Sequence, residues 1–300
     1  MKRLLIIGCG DVARRALPVL KSRYSRVFAL ARSESSARML RAMGVVPIRG
    51  DLDRPDSLRL LAGLADDVLH SAPPPGEGLV DTRTRDLIAA LSCAQNLPQR
   101  LVYLSTTGVY GDCSGEAVPE TRPIRPSSPR AVRRADAEDR LRCWGRRSRV
   151  TVSVLRVPGI YAADRLPLAR LRQGTPAICA EEDSFSNHIH ADDLAHIVVR
   201  ALVAGRPCRI FNTGDDSAMR MGDYFDLVAD QFGLTRPRRI SRTQAEAEIS
   251  APLLSFMRES RQLTNGRLKR ELRIGLRYPT VHAGVAEAAR VAGIVPRAVA

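Results

Sequence analysis

A chain of 300 residues that is 44% apolar and 26% charged has the make-up of an ordinary globular protein, in one large or two smaller domains. No apolar run approaches the roughly 20 residues that cross a bilayer, so a membrane-spanning protein is excluded. The formal charge of +15 raises nucleic acid as a partner. Yet the arginines are spread along the whole chain, and an aromatic content of 4% leaves few surfaces for stacking bases, so the sequence argues against it.

Of the 47 basic residues 44 are arginine, with lysine only at Lys2, Lys21 and Lys269. No glycine-rich phosphate loop ending in Lys-Ser/Thr can be written, which excludes a P-loop NTPase. The six cysteines (Cys9, Cys93, Cys113, Cys143, Cys179, Cys208) form no Cys-x-x-Cys pair. They read as free thiols in a reducing compartment, so a cytoplasmic location is expected.

In chain order, Leu4–Ile7 is a short apolar run, as a strand buried on both faces requires. Its four residues are fewer than the 7–15 of a signal-peptide core, although Lys2 and Arg3 precede it. Gly8-Cys9-Gly10-Asp11-Val12-Ala13 opens a helix to about Leu20, which Pro18 is expected to kink or end early. Strands follow at Val27–Leu30 and Val45–Ile48, with a helix over Ser35–Met43 between them. Asp51 and Asp53 open the next helical stretch. Further strands are read at Asp67–His70, Leu101–Ser105, Val150–Arg156 and Arg209–Asn212. Helices are read at Arg83–Cys93 and Val198–Leu202. The alternation predicts β-α-β crossovers and a parallel α/β sheet.

Gly8-x-Gly10-x-x-Ala13 sits between a strand and a helix, where a dinucleotide pyrophosphate binds. Gly8 permits the turn, Gly10 allows close approach, and Ala13 lets the helix pack on the strand. The N-terminal amides at Asp11 and Val12 then face the phosphates. At the end of the second strand Arg32 and Ser33 stand where an NAD site carries an acid. They suit the 2′-phosphate of NADP, while nearby Glu34 keeps NAD as the alternative.

Ser105-Thr106-Thr107-Gly108-Val109-Tyr110-Gly111, Asp51-Leu52, Leu155–Tyr161, Asn187–Leu194 and Phe211–Asp215 stand in the order seen in one family. Together they resemble the extended short-chain dehydrogenases, the NAD-dependent epimerase/dehydratase family, over Met1 to about Ala286. The compact glycine loop and the Arg261 to Pro279 tail resemble its atypical YeeZ-type branch. The resemblance implies a Rossmann doubly wound sheet with a smaller, mostly helical C-terminal substrate lobe. The dinucleotide domain would be residues 1–158, completed by about 188–215. The lobe would be 159–187 and 216–290, and 291–300 a loose tail.

The resemblance also assigns roles. Asp51 and Leu52 would meet the adenine side, and Ser71, Ala72, Pro73, Ser105 and Pro158 would line the cofactor. Thr106 would hold the substrate oxygen. The family's Tyr-x-x-x-Lys is replaced by Arg130 and Arg134. Arginine stays protonated, so Arg130 cannot relay a proton. Arg134 could still hold the nicotinamide ribose. Tyr110 and Tyr161 are the candidates for a substitute acid. His188 and His190 are two apart, but the resemblance favours a structural role over a metal pair, and no metal is expected.

Arg156, Arg170, Arg172 and Arg261 lie in segments the family uses around its substrate, so the resemblance implies a small, anionic substrate. The expected function is an NADP(H)-dependent oxidoreductase or epimerase-type enzyme acting at a hydroxyl or carbonyl. The alternative is a cofactor-binding sensor or interaction protein without turnover, with a nucleic-acid-associated regulator third. The resemblance implies a homodimer through a helical face.

Overall fold

The computed structural model describes residues 2–250, 254 and 257–294. The elements of the first half are β1 (Arg3–Ile7), α1 (Asp11–Arg23), β2 (Arg26–Ala31), α2 (Glu34–Ala42), β3 (Val46–Arg49), β4 (Asp67–His70), α3 (Thr82–Ser92), β5 (Arg100–Thr106), β6 (Ala117–Val118), α4 (Pro129–Ser148) and β7 (Thr151–Val157). Then come β8 (Gly159–Tyr161), α5 (Leu168–Arg172), β9 (Ala177–Ile178), β10 (Phe185–Ser186), β11 (His188–His190), α6 (Ala191–Ala204) and β12 (Arg209–Asn212). The last are β13 (Met219–Arg220), α7 (Met221–Gln231), β14 (Arg239–Ile240), α8 (Arg242–Glu248), β15 (Gln262–Leu263), α9 (Gly266–Leu272) and α10 (Val281–Val291).

Seven strands form one parallel sheet in the order β12-β7-β5-β4-β1-β2-β3. The chain leaves β1 in one direction through β2 and β3, then in the other through β4, β5, β7 and β12. The strand order therefore reverses between β1 and β4, and open parallel sheets bind ligands beyond the carboxyl ends at that point. This is a Rossmann-type α/β fold.

β1 shows why the run is wholly apolar. Leu4 and Ile6 enter the core that holds α1 and α6, while Leu5 and Ile7 enter the core on the other face with α3 and α4. Alternate side chains leave a strand on opposite faces, so a strand covered on both sides must be apolar throughout.

A separate apolar cluster, including Leu171, Ile178, Phe225, Val228 and Val285, forms the core of the C-terminal lobe. Leu268 and Leu272 of α9 instead join the sheet core beside α1 and α6. The chain thus returns to the sheet inside the stretch 216–290 expected to be lobe. Short two-stranded pairs, β6 with β15, β8 with β11, β9 with β14 and β10 with β13, stitch the excursions together.

The early helix end offered at Pro18 does not occur, since α1 runs on to Arg23. Pro18 lies on the exposed face, so water can take the carbonyl it strands, while Leu17 and Leu20 hold the helix on the core. α10 ends at Val291, and residues 295–300 of the expected tail lie outside the described residues.

Candidate functional site

The cofactor expectations fall on one edge because they follow parallel strands. Gly8–Ala13 follow β1, Arg32-Ser33 follow β2, Asp51-Leu52 follow β3, Ser71–Pro73 follow β4, Ser105-Thr106 end β5, and Pro158 follows β7. Hydrogen bonds tie these ends together. The Ser71 and Ala72 amides donate to the Ile7 carbonyl at 2.8 and 2.9 Å, and the Ser71 hydroxyl donates to the Gly8 carbonyl at 2.6 Å.

Gly8 has φ +90°, and a Cβ there would lie 2.5 Å from the Ala72 nitrogen. Only glycine fits that turn. A Cβ at Gly10 would meet nothing within 4 Å, so open space lies beyond the N-terminus of α1. Gly10 caps that helix without a side chain, which leaves its first amides to an anion. The residues present therefore fit a dinucleotide pyrophosphate.

Asp11, at the helix start, is neutralised locally. Its carboxylate pairs with Arg15 at 3.1 Å and with Arg165 at 3.2 Å. Arg15 also reaches Asp192 at 2.8 Å and Asp164 at 3.0 Å, clasping the turn 163–165 to α1.

At the end of β2, Arg32 is exposed and has no hydrogen-bond or ion-pair partner among the described residues. The Ser33 hydroxyl caps α2 by accepting from the Ser36 amide at 3.2 Å. It also lies 2.8 and 2.9 Å from the Ser35 and Ser36 hydroxyls. Glu34 accepts from Arg41 at 2.9 Å.

Sequence reasoning missed Arg83 of α3. It grips the Asp53 carboxylate at 2.6 and 2.7 Å and donates to the Pro73 and Pro74 carbonyls at 3.1 and 3.3 Å. The ends of β3 and β4 are thereby linked. A gap of 30 residues between Asp53 and Arg83 carries no periodic signal that could have shown it.

Arg134 of α4 is buried beneath the ends of β4 and β5. It donates to the Leu104 carbonyl at 2.8 Å, the Tyr103 hydroxyl at 2.9 Å and the Ala72 carbonyl at 3.3 Å. His70 lies against Tyr103, with ring centroids 5.0 Å apart. Burial, with Arg134 adding to it, pushes the His70 imidazole down to about 3, so it is neutral. Arg130 is exposed at the first turn of the same helix. Gly108 lies beside that turn, for a Cβ built there would be 3.7 Å from Ala131 Cβ, and its amide donates to Thr106 Oγ1 at 3.3 Å.

The structure does not bring Tyr110 or Tyr161 to open space. The Tyr110 hydroxyl donates to Asn212 Oδ1 at 2.7 Å, and the Arg156 guanidinium lies 4.6 Å from its ring centre. The Tyr161 hydroxyl donates to the Thr280 carbonyl at 3.3 Å. Burial pushes both hydroxyls above their ordinary pKa. His188 and His190 pack edge-on against Tyr161. No group of three or more candidate metal ligands occurs among the described residues.

Three of the four substrate arginines expected from the sequence are engaged elsewhere. Arg156, 2% exposed, pairs with Glu138 at 2.7 Å, and Glu138 also accepts from the Ser105 hydroxyl at 2.5 Å. Arg170 covers the Phe225 ring and donates to the Pro176 carbonyl, and Arg261 bonds Gly111 and Glu259. Only Arg172 is exposed. A carboxylate 18 residues from Arg156 satisfies a buried cation, which a substrate does not need to do.

No described helix is long and apolar enough to cross a membrane. Comparison with known proteins places this geometry. A conserved protein of unknown function from Silicibacter pomeroyi superposes with a TM-score of 0.77 at 24% identity, over 97% of this chain and 99% of that one. UDP-glucuronic acid 4-epimerase from Bacillus cereus, solved in complex with NAD, has a TM-score of 0.73 at 17% identity, over 96% and 99% of the two chains. Likeness at these identities establishes the fold. The mouse (Mus musculus) dTDP-D-glucose 4,6-dehydratase is 23% identical over 161 residues, which is 51% of this chain and 43% of that relative's length. The model of the NAD dependent epimerase/dehydratase family matches residues 4–214, more than two thirds of the sequence. The chain belongs to the NAD dependent epimerase/dehydratase family.

Proposed function

We propose that the chain is an NADP(H)-dependent oxidoreductase acting at a hydroxyl or carbonyl of a small anionic substrate. The observation that carries the cofactor part is the glycine turn, with Gly8 fitted against Ala72 and open space at Gly10. The Bacillus epimerase that shares the fold was solved with NAD. Here the unpaired Arg32 and the Ser33, Ser35 and Ser36 hydroxyls favour a 2′-phosphate, and Arg41 neutralises the competing Glu34. The compact loop is in keeping with the YeeZ-type branch.

The bound cofactor would give or take hydride at its nicotinamide. Asp51 and Leu52 would border the adenine, and Ser71, Ala72, Pro73, Ser105 and Pro158 the rest of the cofactor. Arg134, fixed by two carbonyls and a tyrosine hydroxyl, would present a permanent charge near the nicotinamide ribose. Thr106 would orient the substrate oxygen. With both nearby tyrosines turned inward, proton exchange would run through water. That inward turn equally favours a second reading, a cofactor-binding protein without turnover.

The test titrates the purified chain with NADPH and NADH, followed by nicotinamide fluorescence. NADPH is expected to bind tighter, with Arg32→Ala losing about 10- to 100-fold toward NADPH and little toward NADH. Equal binding of both cofactors would reverse the Arg32 assignment. A carbonyl-substrate screen with NADPH then decides between turnover and the second reading.

A further inference from the structure

The first turns of α4 carry Arg130, Arg133 and Arg134 at spacings of three and four, which puts three guanidinium groups on one helix face. Two of them are buried and held by neutral groups. Arg133 donates to the Gly78 carbonyl at 2.5 Å, and Arg134 to the Ala72 and Leu104 carbonyls and the Tyr103 hydroxyl. The Nε of each is buried without a partner. Arg130 is exposed and has neither a hydrogen bond nor an ion pair among the described residues.

Several other arginines are paired. Arg15, Arg83, Arg156 and Arg261 each lie within 3.1 Å of a carboxylate oxygen. Partial burial of its guanidinium, followed by the charges of Arg134 and Arg133, holds Arg130 below its ordinary range; the buried Asp81 carboxylate acts on Arg134, while Arg130 forms no ion pair among the described residues. Like charges gathered on one helix face cost free energy, and an anion beside the unpaired Arg130 reduces that cost. Gly108, whose amide donates to Thr106 Oγ1 at 3.3 Å, lies beside Ala131 of the same turn, so the cluster is next to the segment that carries Thr106.

We propose that Arg130 is the anion-recognition residue of this cleft, taking a phosphate or carboxylate group of the substrate where the family's tyrosine would stand. The position rests on the reading of the cleft given above. The planar fork of arginine suits either oxyanion bidentately. The residue is a binding group and carries no proton.

The experiment is calorimetric titration of the full chain with inorganic phosphate and, separately, malonate, in low-chloride buffer, with and without saturating NADPH. The proteins are wild type, R130Q, R130K and R147Q, the last removing an exposed arginine at the far end of the same helix. The expected result is anion binding to wild type and R147Q, at least tenfold weaker in R130Q and partly kept in R130K, with NADPH affinity unchanged throughout. The stronger of the two probes names the oxyanion.

No anion binding to wild type, or R130Q equal to wild type, overturns the proposal. Equal losses in R130Q and R147Q reduce it to net charge and overturn it as well. A loss of NADPH affinity in R130Q, with anion binding intact, assigns Arg130 to the cofactor and also overturns it. If wild type binds no NADPH, the cofactor reading fails, and the titration without cofactor still decides for or against Arg130.

Discussion

The two ends of the cleft are built from different materials. The cofactor end relies on backbone: a glycine turn, free helix amides, and strand ends tied by main-chain hydrogen bonds. The chemistry end relies on side chains, and there arginines stand at Arg130 and Arg134 while both tyrosines face inward. Backbone geometry admits few substitutes, whereas a side-chain position can be refitted without disturbing the fold. On the proposed reading, cofactor binding and any reaction would therefore be separable.

The sharpest way to break the chemistry end is Glu138→Ala. It leaves Arg156 buried and unpaired and frees Ser105, at a cost of about 3–5 kcal/mol in chemical denaturation. A cost below 1 kcal/mol by the same measurement would show that the pair is solvated.

At the cofactor end, Gly8→Ala puts a methyl group against Ala72 at a positive φ. The expected cost is on the order of 1–3 kcal/mol in stability, with loss of detectable NADPH binding by fluorescence. Retained binding would mean that the turn can shift.

Asp215 follows β12, where its amide donates to the His188 carbonyl at 2.8 Å. Burial pushes its carboxyl up to about 7, and its Oδ2 is buried without a partner. An acid whose folded pKa is raised stabilises while protonated. That contribution is full below about 4 and lost as pH rises through about 7. Asp215→Asn should therefore raise stability by on the order of 2 kcal/mol at pH 8 and leave it unchanged near pH 4. Thermal melts at the two pH values would show it, and an equal effect at both would contradict the assignment.

The smallest effects belong to the tyrosines. Tyr110→Phe and Tyr161→Phe should leave any turnover within about twofold, while Tyr110→Phe costs about 1 kcal/mol because Asn212 loses a donor. A collapse of kcat with either would restore a tyrosine acid.

Much of the cofactor end was legible because it is local. A four-residue apolar run, a glycine turn and the residues just past each strand are neighbours in sequence. The strands at Asp67–His70 and Arg209–Asn212 appear at the expected bounds. The chemistry end was less legible because it depends on distant pairs. Glu138 claims Arg156 across 18 residues and Asn212 claims Tyr110 across 102; at the cofactor end the distant pair of Arg83 with Asp53, across 30, was equally illegible. Two-residue strands such as β6 and β15 carry no period to detect. The helix does not end at Pro18: the proline's propensity cost is real, but the apolar face of α1 outweighs it.

α9 carries the last consequence. Leu268 and Leu272 are fully buried in the sheet core, and Arg267 reaches Glu120 at 3.6 Å, whose carboxylate accepts from the Asn212 amide. The end of the polypeptide thus reinforces its beginning, and the lobe is interleaved with the sheet. Such a chain should melt in one calorimetric transition, with hydrogen exchange in α9 as slow as in β1. Removing everything after residue 260 would take away part of the core itself, so the shortened chain should lose the cooperative transition altogether.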